Sequence, residues 1–253
     1  MEVKQVLLGI FVIIILIVLY NWLFSDKTIN NIITLKDATI SESIKSSDIE
    51  HQANFSYSLW IMIADYNYNY GSRKYILAVP KGTADGDKIK HHYSLYLDSN
   101  SSELIFNLGV TGGSAGSTAI EHVPCKVENI PLQRWTHVLV SFRNRAIDMY
   151  IDGKLVKTCT TEKTYALPEG PKDVLLCPKN SDVSAATGTA DMAGFSGFLG
   201  SVRYFTRAVQ PREAYAIYKE GYSSGNWLSD LFNKYKLKFS FMEDDKEINS
   251  LVL

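Results

Sequence analysis

Hydrophobic and polar positions follow three different rhythms along the chain. Residues 6–24 carry no charge and show no periodicity. From Phe55 onward, apolar and polar residues alternate with a period of two in short runs, which predicts half-buried strands. Phe55, Tyr57, Leu59, Ile61 and Ile63 point one way, with Ser56, Ser58, Trp60 and Met62 opposite. Residues 75–79 predict a second strand, closed by Pro80. Tyr93, Leu95 and Leu97 run into a polar turn over 98–102, and Leu104, Phe106 and Leu108 return, which predicts a hairpin. Residues 135–142 are an apolar strand. Residues 146–151 and 154–159 flank Asp152-Gly153, a two-residue turn of the primed type that matches strand twist. Further strands are expected over 173–177, over 198–205 beside Gly197 and Gly200, and over 234–241 ahead of Glu243-Asp244-Asp245. Helical spacing returns only after Pro211, with Ala214, Ile217 and Tyr218 as the apolar stripe and Gly221 as the cap. About ten strands and one soluble helix predict an all-β, two-sheet antiparallel sandwich.

The uncharged run predicts one N-terminal transmembrane helix. Its nineteen residues span about 28 Å as a helix, close to the hydrocarbon thickness of a bilayer. In lipid the backbone must satisfy its hydrogen bonds within the segment, which a helix does. Val6, Leu7, Ile10, Phe11, Ile14 and Leu16 supply the apolar surface, and Tyr20, Trp22 and Phe24 end it as an interfacial belt. A cleaved signal peptide is the rival reading. It calls for a shorter apolar stretch and small residues before a cut site, and neither is found before Asp26. Lys4 on one side nearly balances Lys27 and Lys36 on the other, so orientation rests on the short head staying where it is made while the large body crosses. The expected divisions are an anchor over 1–25, a juxtamembrane stalk with a first edge strand over 26–53, the sandwich over 54–221, and a C-terminal extension with a further strand over 222–253.

A formal net charge of −1 on 253 residues gives no field to draw in nucleic acid. The fifteen tyrosines suit strands and contact surfaces. Cys125, Cys159 and Cys177 lack zinc spacing. Two readings stay open for them: buried thiols, or a Cys125–Cys159 bridge across neighbouring strands with one thiol left over. Asn54 and Asn100 open glycosylation sequons; Asn54 begins a strand, whereas Asn100 lies in a polar turn and is the candidate acceptor. The Gly/Ser-rich stretch over 110–118 lacks the Lys and following helix of a phosphate loop and reads as a connection.

Five motifs occur in order: Phe55-Ser-Tyr-Ser-Leu-Trp60, the hairpin over 93–108, Trp135-Thr-His137-Val, Tyr150-Ile-Asp152-Gly153, and Phe195-Ser-Gly197-Phe-Leu-Gly-Ser-Val-Arg203 leading to Pro211. As a set they resemble the laminin-G-like branch of the concanavalin A-like lectin/glucanase superfamily, over about residues 54–221. The resemblance implies a jelly-roll of two curved sheets that binds glycans or proteins, in some relatives with calcium. Similar membrane-tethered domains of large DNA viruses suggest a minor structural protein of a membrane-containing virion, linking inner membrane to capsid.

Most motif residues read as structural: Trp135 and His137 share a strand face, and Asp152 is a turn residue. Glycosidases of the superfamily carry a Glu-x-Asp-x-x-Glu run, because glycoside hydrolysis needs a spaced carboxylate pair. That run is missing, the acidic stretch 243–247 falls in a terminal turn, and no enzyme is expected. His91-His92 reads as an exposed pair whose rings point to opposite faces, unsuited to joint metal ligation. No cofactor is expected; for calcium, Asp65, Asp85, Asp87, Asp182 and Asp191 are scattered loop candidates. The expected contact surface is the loop Asp65, Tyr66, Asn67, Tyr68, Asn69 and Tyr70, where alternating Tyr and Asn offer broad amphipathic contacts. Its expected partners are other proteins of an assembly or shell beside a lipid bilayer, with a glycan-binding, lectin-like receptor as the alternative.

Overall fold

The computed structural model describes residues 15, 29–45, 47, 49–81, 91–112, 120–168, 170, 172–183, 192–222, 238–243 and 246–252. The expected membrane anchor, Ile15 apart, lies outside the described residues. No helix among them is long and apolar enough to cross a membrane.

Two six-stranded sheets face each other, and every pairing within them is antiparallel. The first runs β1 (Ile29–Asp37), β12 (Ser196–Phe205), β3 (Phe55–Asp65), β8 (Trp135–Arg143), β9 (Ala146–Ile151) and β10 (Lys154–Thr160). The second runs β2 (Glu42–Ile44), β11 (Val174–Leu176), β4 (Lys74–Pro80), β5 (His91–Leu97), β6 (Leu104–Thr111) and β7 (Ile120–Val127). A separate hairpin joins β13 (Lys238–Glu243) to β14 (Lys246–Val252), with its strands on either side of residues 244 and 245. Residues assigned from sequence to the stalk and first edge strand supply β1 and β2, one outer strand to each sheet. Polar residues such as Thr34 and Glu42, both exposed, suit such edges, where one side of the strand meets water.

The period-two pattern has its physical basis in the space between the sheets. Phe55, Tyr57, Leu59, Ile61 and Ile63 of β3 meet Tyr93, Leu95, Leu97, Leu104, Phe106 and Leu108 of the β5–β6 hairpin in one apolar core. Each such side chain withdrawn from water contributes about 1.5–3 kcal/mol. Phe55 is the hub, stacked on Tyr93 at 4.8 Å between centroids and tilted against Phe142 and Tyr165. Asp152 and Gly153 both adopt positive φ, 48° and 74°, as the primed turn between β9 and β10 requires.

The outer faces are covered as well, so strict alternation understates burial. Helix α1 (Asn180–Val183) sets Val183 on Tyr75, Ala78, Tyr96 and Ile105 of the second sheet. Helix α2 (Pro211–Glu220) sets Ala214 and Ile217 on Leu139, Tyr150 and Phe205 of the first, with Val209 of the preceding connection in the same cluster. Gly221 ends it with φ 82° and donates its N–H to the Tyr218 carbonyl. Ser56 and Ser58, expected on a wet face, are therefore buried. Ser56 satisfies its hydroxyl on the Arg207 carbonyl at 2.9 Å.

Of the two cysteine readings, the structure shows the bridge with one thiol left over, not three buried thiols. Cys125 on β7 is bonded to Cys159 on β10, and Cys177 is a free buried thiol. The bridge differs from the expected one in place. It joins the outer strands of opposing sheets and clasps one flank of the sandwich, because β7 and β10 each end their sheet there.

Candidate functional site

The loop after β3 is positioned by a backbone irregularity. Ser196 pairs with Asp65 and Gly197 with Ile63, so β12 and β3 slip against each other at their ends. Gly197 has φ 145°, and a Cβ there would lie 1.9 Å from the Met62 carbonyl oxygen. Glycine alone fits this approach.

Beyond the slip, Asp65 folds the chain back by accepting the Asn67 N–H at 2.9 Å, and the Asn67 carbonyl accepts the Tyr70 N–H at 3.1 Å. The three tyrosines then divide in role. Tyr66 donates its hydroxyl to the carbonyls of Asp98 and Ser101, docking the loop on the β5–β6 turn. Lys74, fully buried, lies 4.3 Å above the Tyr66 ring and donates to the Ser99 carbonyl at 3.2 Å. Burial lowers the pKa of that ammonium, while Asp98 opposes the shift. Burial pushes the Tyr66 phenol up, and Asp98 and Glu103 add to it. Tyr68 donates to the Ala193 carbonyl at 3.1 Å, and Asn69 donates to Met192 at 3.2 Å from a left-handed backbone, φ 54°. Tyr70 alone stands free, 62 % exposed, with Asp65 and Asn67 also exposed. Asn100, the expected glycan acceptor, is exposed at the adjoining turn.

Other segments meet at this pole. Ala38 donates to the Gly197 carbonyl at 3.0 Å and accepts the Phe195 N–H at 3.2 Å, tying the end of β1 to the start of β12. These neighbours carry exposed apolar side chains that pattern reading passed over: Ile40 at 59 %, Met192 and Phe198. Ile40 falls in the 26–53 stretch expected as stalk and edge strand, and no local sequence signal marks it, since single exposed apolar residues are common on surfaces.

His91 and His92, expected to be exposed, are buried. His91 Nε2 lies 2.9 Å from Ser94 Oγ and 3.5 Å from Asn107 Nδ2. His122 Nε2 lies 2.9 Å from the His91 carbonyl oxygen, and the two imidazole rings are 4.5 Å apart between centroids. Gly109 lies between their strands, opposite His122, where a Cβ would meet the His92 carbonyl at 2.4 Å. Burial first, then His122, pulls the His91 pKa down to about 2, and burial lowers that of His122, so both shifts favour the neutral rings as packing groups. Among the described residues no three His, Cys, Asp or Glu side chains converge. The calcium candidates Asp85, Asp87 and Asp191 lie outside the described residues; Asp65 and Asp182 each accept a local backbone N–H.

The motif residues of β8 serve α2. Trp135 stacks on Tyr222 at 4.8 Å with an interplanar angle of 6°, and Tyr218 stacks on Trp60. His137 is fully buried under that helix, its Nε2 2.9 Å from Ser58 Oγ. Burial, with Arg203 adding to it, lowers its pKa to about 4. Asp152 is more than a turn residue: Oδ1 accepts the His137 N–H at 2.9 Å and Oδ2 pairs with Arg134 at 2.5 Å.

This architecture and its ordered motifs agree with the sequence comparison. Residues 37–214 match the family described as the concanavalin A-like lectin/glucanases superfamily, Laminin_G_3, and the chain belongs to that family. Among curated proteins, none matches the sequence. Solved structures that resemble it include a variant of HCR/D, at 11 % identity and TM-score 0.50, matching 73 % of this chain and 41 % of that one. A botulinum neurotoxin C/D mosaic receptor-binding domain matches at 12 % identity and TM-score 0.49, over 73 % of this chain and 41 % of that one. The botulinum neurotoxin serotype G binding domain matches at 15 % identity and TM-score 0.45, over 74 % and 46 % respectively. The chain thus spans less than half the length of these structures, and at such identities the likeness is one of fold.

Proposed function

We propose that the protein is a non-catalytic binding module whose contact surface is the pole carrying Tyr70. The observation that carries this reading is the contrast within the loop. Tyr66 and Tyr68 are consumed in holding it, while Tyr70 is presented to solvent on a braced turn, with exposed Ile40, Met192 and Phe198 on the segments that meet there. A rigid aromatic offered with few degrees of freedom, among apolar neighbours, suits a protein partner. The uncharged run over residues 6–24 would hold the module at a bilayer. A membrane-containing particle, with the module linking its lipid layer to an outer shell, is one setting that uses both features.

The second reading, a glycan receptor, draws on Asp65 and Asn67 beside Tyr70, since sugar sites pair an aromatic platform with polar groups. Two measurements on the full chain test these ideas. Flotation with phosphatidylcholine vesicles is expected for the intact chain and is lost when residues 6–24 are removed; intact chain left at the bottom of the gradient sinks the anchor. A glycan array is expected to stay silent, and saturable binding abolished by Tyr70→Ala would replace the protein-contact reading with the lectin one.

A further inference from the structure

The two poles of the sandwich are unlike, and β1, the first described strand after the uncharged run, begins at one of them. β1 begins at Ile29, paired with Phe205, and ends at Asp37, paired with Phe198. Ser56 pairs with Phe205 and Phe55 with Phe142, so the start of β3 and the end of β8 lie at the Ile29 pole. The hairpin turn Arg143-Asn144-Arg145 projects there. Its Asn144 N–H donates to Asn54 Oδ1 at 2.8 Å, and its Arg145 carbonyl accepts the Thr161 N–H at 2.8 Å. Arg143 and Arg145 are both exposed. The tyrosine loop is at the other pole, because Asp65 pairs with Ser196 at the far end of β12.

Lengths decide which pole meets a bilayer. From Phe24 to Ile29 there are five peptide steps, which reach about 18 Å at full stretch. β1 spans eight steps, about 26 Å at the rise of a strand. A sandwich seated on its tyrosine pole would hold Ile29 some 26 Å from the surface, beyond that reach. A sandwich lying along β1 would press the exposed Asp37 carboxylate toward lipid phosphates.

We infer that the Arg143–Arg145 pole rests on the phosphate layer of the bilayer, and that the tyrosine pole faces away from it. This rests on the anchor reading. Guanidinium forks match phosphate oxygens in pairs. Lys163 and Arg207 at this pole are already paired, with Glu121 and Glu213. Glu50 and Glu162 are exposed beside the turn, so the contact is local pairing of the two arginines with headgroups and not adsorption by a net field. The partner of Tyr70 must then approach from the side opposite the lipid.

The test uses the full chain in phosphatidylcholine/phosphatidylserine vesicles containing a nickel-chelating headgroup lipid. A nitroxide is placed at Ala53→Cys, on the arginine pole, or at Asn67→Cys, on the tyrosine pole; both positions are exposed. Native cysteines do not compete, since Cys177 is buried and the other two are bonded. Nickel should relax the label at 53 several-fold more than the label at 67. Arg143→Gln with Arg145→Gln should lower the signal at 53 at least twofold and leave flotation unchanged. Equal relaxation at both positions, or stronger relaxation at 67, overturns the orientation. An unchanged signal at 53 in the double variant overturns the guanidinium contact. Chains that do not float refute the anchor itself, a result distinct from chains that float with the other pole down.

Discussion

Tyr66 and Tyr70 share a residue type and a loop but have opposite dependencies. Removing the Tyr66 hydroxyl takes the donor from the Asp98 carbonyl and leaves the Ser101 carbonyl with the Glu103 N–H alone, beside a buried Lys74. Tyr66→Phe should cost about 1–3 kcal/mol, read as a lower midpoint in urea unfolding. Tyr70→Ala should change that midpoint by less than about 0.5 kcal/mol, because the ring it removes is mostly in water. Equal losses in the two variants would contradict the division of roles. His137 sets a pH dependence with a definite sign. Its folded pKa, about 4, lies below the ordinary 6.5, so the unfolded chain binds the extra proton and stability falls as pH drops through that window. Between pH 6.5 and 5 the loss from this group is about 1.5 kcal/mol. His137→Gln should flatten that limb; an undiminished acid slope in the variant would show that other groups carry it. The inward role of Tyr66 and Tyr68 was not legible in Tyr-Asn-Tyr-Asn-Tyr, because their acceptors at Asp98, Ser101 and Ala193 are remote in sequence.

At the scale of elements, legibility followed periodicity. β3, the β5–β6 hairpin and the β9–β10 turn were readable because their signals are local: alternation, and Asp-Gly at a two-residue loop. The burial of His91 and Ser58 was not, since it depends on what covers the outer faces: helices α1 and α2 reach across from elsewhere in the chain. The pairing of β1 with β12 escaped for the same reason; no local rule brings residue 29 to residue 205. Gly197 lay within a recognised motif, yet its requirement comes from the Met62 carbonyl opposite. Gly197→Ala should lower stability by about 2–4 kcal/mol, combining backbone strain with loss of the β12–β3 register. Amide exchange should also rise at residues 61–65. A variant as stable as the parent would mean the slip between the strands is tolerant.

For the whole molecule, the bond between Cys125 and Cys159 adds a cross-link between two sheets otherwise joined covalently by backbone connections alone. It closes a separation of 34 residues, for which loop-closure arguments give about 3–4 kcal/mol. Cys125→Ser with Cys159→Ser should therefore shift the unfolding midpoint down, and dithiothreitol should do the same to the parent but nothing further to the double variant. Coincident midpoints for parent and double variant without reductant would show that the native packing already supplies that restraint.

That clasp also bears on where the body can be finished. Two thiols become one bond only by giving up electrons, and a glutathione-rich compartment supplies them instead of taking them. Newly made copies would stay unbuttoned along the β7 and β10 side until they met an electron acceptor. Maturation would thus be timed by chemistry outside the polypeptide rather than by its folding.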